Sequence, residues 1–476
     1  MIAYIRAKLT FIINTATLAL FISSIILIGC NRNKINIQSI NFTEFYEGNL
    51  KLKIDFFSNE NDSIKLTYWL SKQEGDRKSI KFKPNLHSLI YLSDLKSNSS
   101  YSLLFETLSN NRKSDIRYYN TSSLSKYIEL DISKINRKDS FHDSDFLKGG
   151  ILINQRETPG GLYIVGQDGK VIWQHYFEGL GVRFAHFTQD NTIICILGSE
   201  YEPTSYGCKV VEINKKGDTL LNLFKGKGDF IYTPHHDVIK DSAGNIAILY
   251  LEKRIQDFSS IGGKLKDTIT GDGIQVLNSK GKQIWKWSVF DVINPLKEKD
   301  ILKKKSDWLH ANSLSYDYDG NYLISFFNSG QVWKINKKTG KVIWTFGKTG
   351  NLHFDKHYIF SQSHAFHSIG KGEYMCFDNQ LETKVPKIHT YEIDESNGSA
   401  RSTLNISLTS DLFTDRMGSS YFINDSLILT CLSKKGKLVL NNKLGNQLWG
   451  MQIENITPYR AEFISQKRLN LFLNQQ

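Results

Sequence analysis

Three histidine-bearing clusters carry the side chains most able to do chemistry. They are His235-His236-Asp237, Asp307-Trp308-Leu309-His310-Ala311-Asn312-Ser313, and Gln362-Ser363-His364, the last followed by Phe377-Asp378-Asn379. His186, in Arg183-Phe184-Ala185-His186, is a weaker fourth. Each precedes a short turn with Gly or Asn and then an apolar strand. Imidazole changes charge in the physiological pH range, binds transition metals, and attacks electrophiles through nitrogen. Two chemistries therefore compete. One is a metal site, for which Asp237 and Asp307 offer carboxylates. The other is an oxyanion site, in which imidazoles donate hydrogen bonds to a sulfuryl or phosphoryl group and one of them attacks it. His186, His353, His357 and His367 lie outside such dense polar clusters and read as structural.

A residue type that recurs at one register of a repeated unit points repeatedly at one place, so the repeat itself must be found. Six segments end an apolar strand in a polar turn with Gly: Gly166 to Gly169, Asn214 to Gly217, Asn278 to Gly281, Asn336 to Gly340, Asp394 to Gly398, and Asn441 to Gly445. Several run on into a strand with Trp, at Trp173, Trp285, Trp344 and Trp449. A period of roughly 50–65 residues with about four strands is a propeller blade with loop insertions. The fold class is therefore all-β, with a six-bladed β-propeller over 147–476. Residues 35–125 alternate apolar and polar residues between polar turns and predict a small immunoglobulin/fibronectin-like β-sandwich. Leu95 to Tyr101 resembles the turn and tyrosine corner of such sandwiches. Polar, charged residues 126–146 predict a linker.

At 476 residues the chain exceeds one ordinary core. Its formal net charge of +12 is scattered, and no nucleic-acid recognition motif accompanies it. A positive field that draws small anions accounts for the charge equally well. At the N-terminus, Arg6 and Lys8 precede an apolar run from Phe11 to Gly29, ending in Leu27-Ile28-Gly29-Cys30. This resembles a bacterial lipoprotein signal over residues 1–30, with lipidation of Cys30; the other reading is an uncleaved membrane anchor. Both predict an exported, membrane-tethered chain, facing the periplasm by default. Export permits disulfides, and Cys195 and Cys208, flanking one loop, are the expected pair. No CxxC pair exists, which disfavours a cysteine zinc site.

From about residue 35 to the C-terminus the chain resembles the arylsulfate sulfotransferase family. The resemblance rests on Gly166 to Trp173, His235-His236-Asp237, the Asp307 to Ser313 cluster, Asn336 to Trp344, and Ser363-His364-Ala365 with Phe377-Asp378-Asn379, all in the family's order. It implies transfer of a sulfuryl group from an aryl sulfate donor to a phenolic acceptor, without a nucleotide sulfate donor, other cofactor or metal. On that pattern His364 is the nucleophile. His310 and one of His235 and His236 bind the sulfuryl oxygens and move the phenolic proton, strand alternation allowing only one of the pair to face the channel. Asn312 would contact substrate. The family carries an Arg on the following strand, where this sequence has Phe327. Activity is then weak or lost, the donor differs, or another cation substitutes; Arg416 is the expected substitute and Arg183 the other candidate. Competing readings are a non-catalytic, lipid-anchored propeller that binds an anionic or aromatic ligand, a lyase or hydrolase of sulfate or phosphate esters at the same pocket, and a quinone-dependent dehydrogenase.

Overall fold

The computed structural model describes residues 34–475, apart from 48, 74, 76, 93, 94, 97, 123–129 and 178. Cys30 and the apolar run before it lie outside the described residues. Among the described residues no helix is long and apolar enough to cross a membrane. The chain divides into two compact units, Met1–Leu124 and Ser125–Gln476.

The first unit contains a three-stranded and a four-stranded antiparallel sheet. Alternation places Leu52, Ile54 and Phe56 of Asn49–Ser58 on one face, and these share a core with Ile64 and Leu66 of Ile64–Leu70 and with Leu103 and Phe105 of Ser100–Thr107. Phe56 and Phe105 stack at 5.0 Å between ring centroids. The Lys96 amide donates to Tyr101 Oη at 2.8 Å, so the tyrosine ties down the turn that leads into its own strand.

The second unit is propeller-like: antiparallel sheets of four strands follow one another along the chain, the last extended to five. Their first strands in chain order are Leu180–Phe187, Thr233–Lys240, Ala311–Tyr316, Ser363–Gly370 and Ser419–Phe422. The remaining sheet joins both ends of the unit. Glu462–Ile464, near the C-terminus, pairs with Gly150–Gln155 and supplies its inner strand. Neighbouring sheets bury apolar faces against each other. Leu249 and Trp287 of one sheet, for example, pack with Ile324 and Trp333 of the next.

The turns that mark the repeat all fall between the last two strands of a chain-ordered sheet, and their glycines hold positive φ, from 67° at Gly398 to 83° at Gly217. A Cβ is disfavoured in that conformation, which is why Gly recurs there. The tryptophans that follow join sheets. Trp173 Nε1 donates to the Lys215 carbonyl at 2.8 Å, Trp449 Nε1 to that of Gln167 at 3.0 Å, and Trp344 Nε1 to Glu395 Oε1 at 2.9 Å, each acceptor lying on the next sheet round.

Two expectations change. The segment expected as a linker contains strand Ile132–Arg137, which pairs with Gln447–Ile453 as an outer fifth strand, and helix Ser144–Lys148. An edge strand with mostly exposed side chains lacks the apolar face that would mark it in sequence. Cys195 and Cys208 are both free thiols. Cys195 lies mid-strand opposite Val211, whereas the Cys208 amide bonds the Leu197 carbonyl, so register keeps them apart.

Candidate active site

The clusters gather through one repeated distortion of the inner strands. Pairing with the second strand breaks between Pro234 and Val238, between Ala311 and Ser313, and between His364 and His367. His236 and Ala365 lie in these breaks and take left-handed φ of 54° and 50°; His310 and Met417, each just before its inner strand, take 58° and 61°. Such bulges re-aim side chains, and non-glycine residues adopt this backbone only where the surroundings enforce it. Strand alternation alone therefore does not orient His235 and His236. Both are buried, and their Nδ1 atoms meet at 2.7 Å.

His364 is buried and held from both ring nitrogens. Nδ1 lies 2.6 Å from Asn379 Oδ1, while the Asn379 amide nitrogen donates to the carbonyls of Thr414 and Met417 at 2.9 and 3.0 Å. With its NH2 group so engaged, Asn379 presents only an acceptor, so His364 carries its proton on Nδ1. Nε2 is then a lone pair, and it accepts the Met417 amide N–H at 3.2 Å. Burial lowers the His364 pKa to about 3, leaving it neutral and nucleophilic at ordinary pH.

The other histidines form a line with a carboxylate at each end. His235 Nε2 stands 3.4 Å from Asp272 Oδ1. His236 and His310 meet with ring centroids 4.9 Å apart, and His310 Nδ1 lies 2.7 Å from Asp307 Oδ2. Burial lowers the pKa of His235 to about 3 and that of His236 well below the usual value. Burial also pulls His310 down, but the bond and charge of Asp307 outweigh it and raise the pKa. Burial pushes Asp272 up to about 7. Neutral imidazoles thus lie beside one that favours its protonated form, the pairing expected of a proton donor next to a nucleophile. His236 is the member of the pair that faces His310; His235 turns to Asp272. Among the described residues no cluster of three or more His, Cys, Asp or Glu is arranged to hold a metal ion.

Phe327 fills the space between His310 and His364, at 5.8 and 5.1 Å between ring centroids. Arg416 is not among these contacts: its side chain is 63% exposed and meets Asp415 at 3.5 Å. Arg183 is buried, and its guanidinium donates to the carbonyls of Tyr206, Arg156 and Ser199, holding loops together. Asn312 is buried; its amide donates to the Ser363 carbonyl at 2.8 Å, joining two inner strands. His186 bonds Glu462 at 3.0 Å and lines a separate cavity of about 310 Å³ with Asp237 and Arg460.

Sequence reasoning assigned no role to Asn379, Asp272, Tyr459 or Arg156. Tyr459 lies on the segment leading to the closing strand; its hydroxyl donates to the Asn312 carbonyl at 3.0 Å, and its ring sits 6.0 Å from His236. Arg156 stands at the turn after Gly150–Gln155. Asn379 was visible within Phe377-Asp378-Asn379 as a polar residue ending an apolar strand. The other three carry no local signal.

An all-β, propeller-like unit whose inner strands converge on buried histidines defines a class of radial enzymes and binding proteins. The arylsulfotransferase (ASST) family model matches residues 135–425, and the chain belongs to that family. Comparison with curated proteins gives no match. Among solved structures the chain is similar to a protein of unknown function from Bacteroides caccae, at 14% identity over 67% of this chain and 99% of that one, with a TM-score of 0.42. It is also similar to apo AztD from Citrobacter koseri, at 11% identity over 67% and 98% with a TM-score of 0.36. A virginiamycin B lyase from Staphylococcus aureus matches at 11% identity over 68% and 100%, with a TM-score of 0.32.

Proposed function

We propose that this protein is an aryl sulfotransferase working through a sulfohistidine on His364. The observation that carries the reading is the setting of His364: Nδ1 is bonded to Asn379 Oδ1, which puts the lone pair on Nε2, and attack on sulfur takes that lone pair from the Met417 amide it accepts. Membership of the arylsulfotransferase family supplies the substrate class, an aryl sulfate donor and a phenolic acceptor. In the first half-reaction Nε2 attacks sulfur, an N–S bond forms, and the S–O bond to the aryl group breaks. The departing phenolate takes a proton from His310, whose pKa is raised beside Asp307. In the second, an acceptor phenol returns a proton to His310 and attacks sulfur, and the N–S electron pair goes back to Nε2. His236, beside His310, directs a ring nitrogen to the sulfuryl oxygens.

In the same reading the repeated sheets are the six blades of a propeller, the first unit is an immunoglobulin/fibronectin-like sandwich, and the chain is a periplasm-facing lipoprotein anchored through Cys30. The test is incubation of purified protein with a chromogenic aryl sulfate, with and without an added phenol. Phenol-dependent release that disappears in His364→Ala supports transfer. Phenol-independent release means hydrolysis, and release that is absent or unaffected by His364→Ala removes the reading.

A further inference from the structure

A cation stabilises an oxyanion site, and Phe327 stands where the family carries its Arg. Arg156 meets the need from a different sheet. Its side chain is only 7% exposed. One guanidinium nitrogen contacts Met417 Sδ at 2.6 Å, the other donates to the Thr204 carbonyl at 2.6 Å, and Nε has no partner among the described residues. No carboxylate of the described residues forms an ion pair with it. Its hydrogen-bond partners are a thioether, which is a weak acceptor, and one carbonyl; the Tyr459 ring and the charge of Glu157 favour the cation without forming an ion pair, so the buried guanidinium is incompletely compensated.

The position of that unmet charge matters. Met417, which takes the guanidinium on its sulfur, gives its amide N–H to His364 Nε2. Tyr459 lies between Arg156 and His236, with its ring centroid 5.6 Å from the guanidinium carbon and 6.0 Å from the His236 ring. Glu157 sets an opposite charge nearby, and Arg183 and exposed Arg416 add charge of the same sign.

We propose that Arg156 is the cation that binds the sulfuryl end of the substrate, a tetrahedral oxyanion displacing Met417 Sδ from the guanidinium. This rests on the oxyanion reading of the histidine cluster, and it places the positive fork on the first sheet of the unit instead of on the strand that carries Phe327. The planar guanidinium suits two oxygens of such a group, whereas a lysine would offer only a point charge.

The experiment uses inorganic sulfate as the probe and the whole protein. Calorimetric titration at constant ionic strength should detect sulfate binding in the wild type. Arg156→Gln should weaken it about tenfold to a hundredfold, the loss of a charge-assisted contact, with Arg156→Lys intermediate. Equal sulfate affinity in wild type and Arg156→Gln overturns the proposal. If Arg156→Gln does not fold, anomalous scattering from selenate soaked into wild-type crystals decides. A selenate within hydrogen-bond reach of the Arg156 guanidinium supports the site, and one bound elsewhere, or none, overturns it. The two readings fail separately. Arg156-dependent sulfate binding without any aryl sulfate turnover sinks only the transferase. Turnover that needs His364 alongside Arg156-independent sulfate binding sinks only the anion site.

Discussion

Replacing Asn379 tests how His364 is made reactive. The residue makes three buried bonds: Oδ1 accepts from His364 Nδ1 at 2.6 Å, and Nδ2 donates to the carbonyls of Thr414 and Met417. Asn379→Ala removes the acceptor that fixes the tautomer, a bias of about 0.5–1.5 kcal/mol for a neutral buried bond. It also frees the Thr414 to Met417 segment, whose last amide aligns Nε2. Taken together, the loss of tautomer and alignment corresponds to about tenfold to a hundredfold in kcat/KM, since each 1.4 kcal/mol is a factor of about ten. Asn379→Asp keeps the acceptor but sets a negative charge against the ring. That charge stabilises the imidazolium, so the His364 pKa rises from about 3. Turnover needs neutral His364 and is lost as pH falls through that pKa, so the acid limb moves to higher pH. The assay is the pH dependence of kcat/KM with a chromogenic aryl sulfate and excess phenol. A kcat/KM for Asn379→Ala within about twofold of wild type, too small for loss of a tautomer-fixing bond, refutes the reasoning, as does an unmoved acid limb in Asn379→Asp.

Asp307→Asn removes the charge that does most to oppose burial at His310 and leaves only that of Asp272, so its pKa falls; the activity that depends on protonated His310 should then be lost at lower pH, seen as a downward shift of the alkaline limb in the same profile. Phe327→Arg places a guanidinium between His310 and His364; in an Arg156→Gln background it should restore turnover by about tenfold or more, given that one oxyanion donor is worth about 3 kcal/mol, and no recovery would show that the two positions do not serve one anion. Lys334 is buried between Asp317, Asp319 and Glu395; Lys334→Met leaves the buried Asp317 carboxylate without its cation, with only the Tyr374 hydroxyl and the Tyr318 amide to bond it, and should destabilise this unit by about 3 kcal/mol, read as a lowered thermal midpoint.

What the sequence disclosed and what it hid differ in kind. The repeat was legible because its turns need positive φ, and Gly217 or Gly398 announces that need locally. Trp173 and Trp449 were legible as recurring marks, though not as donors to the neighbouring sheet. The histidine clusters were legible because dense polar residues before an apolar strand conflict with burial unless they serve a site. Hidden features depend on contacts between distant residues. Ile132–Arg137 is a strand only because Gln447–Ile453 offers it an edge. Glu462–Ile464 is an inner strand only because the first sheet lacks one. Arg156 and Asn379 matter through Met417, some 261 residues from the first, and no local pattern encodes such a meeting.

The histidines also show why a strand-period argument misleads at a functional site. A regular inner strand would send His235 and His236 to opposite faces, yet the break between Pro234 and Val238 brings their nitrogens to 2.7 Å. The same left-handed position recurs at His236, His310, Ala365 and Met417. In two strands the histidine itself occupies it. In the third His364 precedes it, which shifts that ring out of the His235–His310 line and onto Asn379. One residue of offset from the left-handed position thus separates the neutral nucleophile from the proton-carrying histidine. The strain of non-glycine residues at positive φ, of order 1–3 kcal/mol each, is tolerated in adjoining sheets because it yields two environments, one that puts the lone pair on Nε2 against the Met417 amide and one that holds a proton.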